Sequence, residues 1–319
     1  MVGAWIGSVM ALSAQSVQTA TLQKDDGVQV FYGADALNYA VDAAQDGNTI
    51  YLSAGNFNGA YSLSKSIKII GCGGFNENDA KNTIIRGLNI LRNGTYSNYL
   101  ELEGFIVKGS TQIRQSSMVK MSKIYFQNSC DFLDNGSNIE ISGSLIPDYL
   151  NFNGSSLSNT NISNCIITRL TYGVSNISTV LVSNSIIYDI NWGDYNISLQ
   201  NNIIAANQYN SFPNSVYNNI FTGADNFPNV TNQSGNWENV GLSGLFVNQP
   251  ENKWDPTYDY HLKNPANYVG TDGTQVGIYG GLFPWNTVPS NPQITESKVN
   301  PVTTNDGKLN FQIKAEAQQ

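Results

Sequence analysis

Apolar residues in the middle of this chain come in pairs, and an asparagine precedes each pair. The runs read Asn164-Cys165-Ile166-Ile167, Asn184-Ser185-Ile186-Ile187, Asn201-Asn202-Ile203-Ile204 and Asn218-Asn219-Ile220-Phe221. The first apolar residue steps from 166 to 186, 203 and 220, a period of 20, 17 and 17 residues. The register extends backwards more weakly through Leu145, Ile124 and Phe105, at steps of 21, 21 and 19. Such a period, with two or three short strand-like runs in each repeat, predicts a β-solenoid whose coils bury their core against one another. The apolar pairs form one strand per coil, with alternate residues pointing inward. The runs Thr179-Val180-Leu181-Val182, Ile197-Ser198-Leu199 and Ser215-Val216-Tyr217 form the strand before it.

Asn164, Asn184, Asn201 and Asn218 then stack at a tight turn between these two strands. Their amides are expected to bond one another and the turn backbone, as asparagine ladders do. A ligand-binding role would not demand such regular spacing. Ahead of the repeats, apolar residues at 37, 40, 41 and 44 have helical spacing, Gly47 supplies a stop, and Thr49-Ile50-Tyr51-Leu52 reads as a strand. That helix would cap the open end of the solenoid. Beyond the repeats, residues 286–301 are rich in Pro, Asn, Ser and Thr and read as extended chain. Leu309-Asn310-Phe311-Gln312-Ile313 alternates apolar with polar and predicts a final strand.

One stretch is similar to a known family. Ala36-Leu37, Ala40-Val41, Ala44, Gly47-Asn48-Thr49-Ile50-Tyr51-Leu52, Gly55-Asn56-Phe57 and Lys68-Ile69-Ile70-Gly71 together resemble the opening of right-handed parallel β-helix proteins of the pectin-lyase-like superfamily. Trp254-Asp255-Pro256, Tyr260-His261-Leu262, Asn264-Pro265 and Gly270-Thr271-Asp272-Gly273 resemble the terminal coil of secreted bacterial members. The resemblance implies an all-β, right-handed parallel β-helix over residues 28–285. A leader fills 1–27 and an extended segment fills 286–319. It says little about activity, because this fold carries lyases, hydrolases and adhesins alike.

Composition narrows the partners. The net charge is −8 and only 13% of residues are charged, which argues against nucleic acid, since phosphate binding needs clustered Lys and Arg. Residues 2–12 form a short apolar run followed by Ser13-Ala14, like the end of a secretory signal, although an apolar first strand would read the same way. No later run is long enough to span a membrane. Cys72, Cys130 and Cys165 lie far apart and in odd number, so core packing is expected rather than a disulfide framework. The single histidine, His261, lies outside the repeats, which excludes a histidine metal cluster or a Ser-His-Asp triad within them. No cofactor or metal is expected. Calcium at loop carboxylates is conceivable but has no motif behind it.

Chemistry is sought in the columns that a solenoid creates. Three residues after each first repeat position stand Lys108, Gln127, Asp148, Arg169, Asp189, Ala206 and Gly223. With coils about 4.8 Å apart, Asp148, Arg169 and Asp189 are candidates for catalysis. Six residues on stand Tyr172, Trp192 and Tyr209, with Phe152 one residue out of register, and Asp194 lies nearby. Aromatic faces beside carboxylates and an arginine would suit a saccharide groove. The same columns would also serve as a modest charge ladder beside an aromatic seal. Asp131 with Asp134, or Asp189 with Asp194, would support glycoside hydrolysis at separations of about 5–9.5 Å. The paired-aspartate pattern of polygalacturonases and the Trp-Ile-Asp-His pattern of pectate lyases are absent. The expectation is a monomeric protein of the secreted, periplasmic or outer-surface compartment of a bacterium that binds polysaccharide. A divergent polysaccharide lyase or glycosidase, and a structural spacer or adhesin, remain open.

Overall fold

Each sequence repeat lays down one coil of a parallel β-solenoid of about eight turns. The structure, a computed structural model, describes residues 17–153, 156–172, 179–191, 197–205, 215–223, 230, 232–249, 251, 253–291, 293–299 and 306–316. Successive coils pair parallel and in register: Ile166 with Ile186, Ile186 with Ile203, and Ile203 with Ile220 on one face. Val180 pairs with Ile197 on the preceding face. Three faces result. The first holds Leu100–Glu103, Val180–Ser183 and Ile197–Gln200; the second holds Ile106–Val107, Tyr125–Phe126 and Ile203–Ile204. The third holds Leu88–Leu91 and the strand segments beginning at Thr111, Cys130, Leu150 and Leu170.

At the outer end of the first face, Thr19–Lys24 pairs antiparallel with both Gly27–Tyr32 and Thr49–Leu52. The sheet therefore begins at Thr19, ahead of the residue 28 from which the repeat reads. The expected helix is present over Ala36–Ala43, and it buries Ala36, Leu37 and Ala40.

The bend between the first and second faces fixes the coil. Its first residue sits at positive φ in eight successive coils: Gly104 (74°), Lys123 (54°), Gly143 (54°), Asn164 (52°), Asn184 (48°), Asn201 (57°), Asn218 (51°) and Gly235 (70°). Asparagine and glycine are the residues that enter this left-handed region most cheaply, so the sequence period is the period of this backbone constraint. The ladder of side-chain bonds lies one residue further on, which corrects the expected ladder of the preceding asparagines. The Asn202 and Asn219 backbone N–H groups donate to Asn219 Oδ1 and Asn236 Oδ1, both at 2.9 Å. Ser185 N–H donates to Asn202 Oδ1 at 2.9 Å, and Cys165 N–H donates to Ser185 Oγ at 3.1 Å. Each Asn amide then donates to a first-face carbonyl: Asn202 to Val182 at 2.8 Å and Asn219 to Leu199 at 3.0 Å. Ser144, Ser185, Asn202 and Asn219 are all fully buried, so these bonds satisfy backbone groups that water cannot reach.

The two apolar residues of each pair face different cores. The second, as in Ile167, Ile187 and Ile204, points into the solenoid. The first, as in Leu145, Ile166, Ile186, Ile203 and Ile220, points outward, yet it is no more than 1% exposed. It packs under Leu245, Phe246, Tyr260, Leu262, Val276 and Ile278. Residues 254–273 thus do not form the expected terminal coil. Phe246–Asn248 and Asp259–Leu262 make a separate antiparallel pair. The chain then runs back along the outside of the solenoid as a strap.

The left-handed column is the track of that strap. Asn218 Nδ2 donates to the Val269 carbonyl at 3.0 Å. Thr271 N–H donates to Asn201 Oδ1 at 2.9 Å, and Asn164 Nδ2 donates to the Ile278 and Gly280 carbonyls at 3.0 and 2.8 Å. Lys123 Nζ reaches the Val288 carbonyl at 2.8 Å. Where Pro289 crosses Gly104, a Cβ on that glycine would lie 2.6 Å from the proline ring, so no side chain fits. Ser290 donates its N–H and hydroxyl to the two oxygens of Glu103 at 2.8 and 2.7 Å. Beyond it, Gln293–Val299 pairs antiparallel with Phe311–Glu316, which overlaps the predicted final strand over residues 311–313 and starts two residues later.

Two outcomes are expected. Asn202→Ala removes an acceptor and a donor from fully buried backbone partners and is expected to cost at least about 2 kcal/mol in denaturant unfolding. Asn202→Ser, the residue used one coil earlier, is expected to cost less. Burial alone would raise the Glu103 pKa, but the Ser290 hydrogen bonds and Lys123 outweigh it and hold the carboxyl below its ordinary 4.5. A lowered folded pKa means that this contact stabilises above that ordinary value and is lost as pH falls from there through the folded value. Hydrogen-exchange protection of the Ser290 amide, taken relative to its intrinsic rate at each pH, is therefore expected to fall on acidification below about 4.5, and Glu103→Gln is expected to remove that dependence.

Candidate polysaccharide site

The third face presents short hydrogen-bonding side chains on successive coils. Asn89, Gln112, Asp131, Asn151 and Thr171 are neighbours in register. Asn151 Nδ2 donates to Asp131 Oδ1 at 3.2 Å, and Thr171 Oγ1 donates to Asn151 Oδ1 at 2.9 Å. Ser129 donates to the other Asp131 oxygen at 2.7 Å, and Arg114 donates to Gln112 Oε1. Sequence reading missed this column because a bulge hides it.

The bulge lies between Ile146 and Tyr149, and it places Tyr149 rather than Asp148 beside Arg169. Pro147 lacks the N–H that a continuous ladder would use there. Asp148 therefore leaves the predicted stack with Arg169 and Asp189. The other two remain in register, and Arg169 Nε binds Asp189 Oδ2 at 2.6 Å. Arg169 Nη1 also donates to the Tyr149 hydroxyl at 2.9 Å, and its guanidinium lies 5.1 Å from the Tyr149 ring centre. The hydrogen bond to Asp189 holds the guanidinium pKa above its ordinary value, which makes Arg169 unsuited to act as a base. The Asp148 carboxyl is shifted upwards, first by burial and then by the Asp131 charge, against the pull of Arg169.

The same bulge brings Phe152 into register with Tyr172. It also turns the Phe152 ring inward, 1% exposed and 4.9 Å from the Phe132 ring centre. Phe152 is a core residue, not a ligand contact. The Tyr172 side chain, and all of Trp192, Asp194 and Tyr209, lie outside the described residues. Asn164, Asn184, Asn201 and Asn218 stand on the far bend, beneath the strap.

A cleft of about 460 Å³ opens at the bend leading from the third face to the first. Its wall includes Asn93, Gln115, Asn135 and the in-register column Ser117, Ser137 and Ser158. Positive φ at Gln115 (42°) and Asp134 (69°) makes the strands turn here. Arg92 lies under one end with no exposed surface. It donates to the Ser117, Ser64, Lys65 and Asn98 carbonyls and to Ser66 Oγ, over 2.6 to 3.1 Å. Tyr96 covers it at 3.8 Å. Burial lowers the guanidinium pKa, opposed by the nearby Tyr96 and Asp46. The alternation Leu88, Ile90, Arg92 was the sequence signal that this arginine points inward. Its role is to clamp three segments of chain together rather than to bind a ligand, since its five donors are in use.

The chain matches no protein-family model, and no curated protein or solved structure is significantly similar to it. No helix among the described residues is long and apolar enough to cross a membrane.

The Arg169–Asp189 pair is about 40% exposed on each side, so solvent screens it. Arg169→Ala is expected to change unfolding free energy by less than about 1 kcal/mol, measured by denaturant titration. Arg92→Ala strands four carbonyls and is expected to cost roughly 3 kcal/mol or more in the same measurement.

Proposed function

We propose that this protein is a right-handed β-helix of the pectin-lyase-like kind that binds polysaccharide outside the cell without cleaving it. The observation that carries the reading is the run of hydroxyl, amide and carboxylate side chains on consecutive coils of the third face, beside the serine- and asparagine-walled cleft. Hydroxyls and amides both donate and accept, as sugar hydroxyls do, and the half-exposed Tyr149 ring adds an apolar face for a sugar ring. Arg114 and Arg169 stand against Asp131, Asp134, Asp148 and Asp189, so an uncharged glycan fits better than a polyuronate. The apolar stretch at 2–12, followed by small residues, supports export.

One observation favours a second reading. Asp148 is shifted upwards beside Asp131, as a general acid next to an ionised carboxylate would be. In that case the protein is a glycosidase. A lyase is disfavoured by the tied-up Arg169.

Retention on columns of immobilised neutral and uronate glycans decides among these. Binding to neutral glycans is expected, weakened about tenfold or more (about 1.4 kcal/mol) in Asn151→Ala and in Tyr149→Ala, with no new reducing ends. New reducing ends that disappear in Asp148→Asn would establish the glycosidase instead. No retention on any glycan would leave a structural spacer.

A further inference from the structure

The strap carries the C-terminal hairpin to the end of the solenoid where the chain began. Its contacts step from Asn218 through Asn201 and Asn164 to Glu103, and finally Asn291 Nδ2 reaches the Gly71 carbonyl at 3.4 Å. At that same end, Gly27–Tyr32 pairs only with Thr19–Lys24 among the described residues, so its other edge is open. Val28, Val30 and Tyr32 lie on one side of it and are 65, 41 and 66% exposed. The hairpin is equally unfinished. Among the described residues Phe311–Glu316 pairs only with Gln293–Val299, and Phe311 and Ile313 are 68 and 51% exposed. A lone two-stranded hairpin is marginal in water, and an open apolar edge invites another strand.

We propose that these two edges join between two copies of the chain, giving an isologous dimer in which each C-terminal hairpin extends the N-terminal sheet of its partner. Both strands have six residues. Antiparallel pairing along their whole length sets Tyr32 against Phe311, Val30 against Ile313 and Val28 against Ala315, so every exposed apolar residue meets another. The N-terminal end carries Lys24 and Lys65 against Asp25, Asp26, Asp35, Asp42 and Asp46, so two such ends repel, whereas the hairpin, with Lys298, Lys308 and Lys314 against Glu296, Asp306 and Glu316, is neutral and meets that end without the repulsion.

Reach excludes the same pairing within one chain. The open strand Gly27–Tyr32 lies three strand spacings from the Lys68 rung where Asn291 is held, so a strand added to its free edge would lie four spacings or about 19 Å away. Only residue 292 separates Asn291 from the hairpin, and two residue steps span about 7 Å. The dimer departs from the monomer expected from the sequence.

Light scattering after size exclusion of the full chain tests this. A mass twice the 34.8 kDa of one chain is expected at micromolar concentration. Val30→Lys and Ile313→Asp are each expected to return it to one chain's mass with an unchanged unfolding midpoint. In a Cys72→Ser background, Tyr32→Cys combined with Phe311→Cys is expected to give a disulfide-linked dimer under oxidation. A monomer at all concentrations overturns the proposal. So does a dimer that Ile313→Asp breaks but Val30→Lys does not, since the hairpins would then be joining each other.

Discussion

One backbone constraint organises this molecule. At the same point in eight successive coils a residue must adopt the left-handed conformation, so that the chain turns from the first face to the second. That conformation costs a residue with an ordinary side chain on the order of 1 kcal/mol or more, and the sequence meets it with glycine or asparagine at seven of eight positions and Lys123 at the other. Because the constraint repeats, these side chains form a column. Because the column is polar and regular, a second length of chain can lie along it. The coil, the inner ladder and the strap are three results of one dihedral angle.

The strap explains a feature that is otherwise unfavourable. A solenoid strand with apolar residues on both sides would leave one side in water. Here that side is a five-coil aliphatic stripe, and burial of each such residue contributes roughly 1.5–3 kcal/mol. Among the described residues the third face has no such cover, and its outward residues are correspondingly polar. The fold thus divides its outer surfaces: one is sealed by its own chain, and one is left open and hydrogen-bonding. The candidate site lies on the open one.

The sequence made the coil legible because its period and alternation are set by backbone geometry, which side-chain chemistry must obey in every repeat. It also showed the helix at Ala36–Ala43 and the strand at Thr49–Leu52. What it hid was local irregularity. A bulge at Pro147-Asp148 shifts one strand by a residue, and a shift of one exchanges inside with outside. That step removed Asp148 from its stack, turned Phe152 into the core and concealed the Asp131–Asn151–Thr171 column. The strap was hidden for a different reason. Its partners are 51 to 220 residues away in sequence, and its own composition resembles an ordinary final coil.

The direction of the strap has a consequence for biosynthesis. Ribosomes deliver the coils first, from Thr19 onwards, and the segment that covers the outward isoleucines last. A nascent chain halted near residue 240 holds every repeat but keeps Leu145, Ile166, Ile186, Ile203 and Ile220 wet. For that interval the growing rod displays a greasy seam along its flank, and only completion of translation zips it shut.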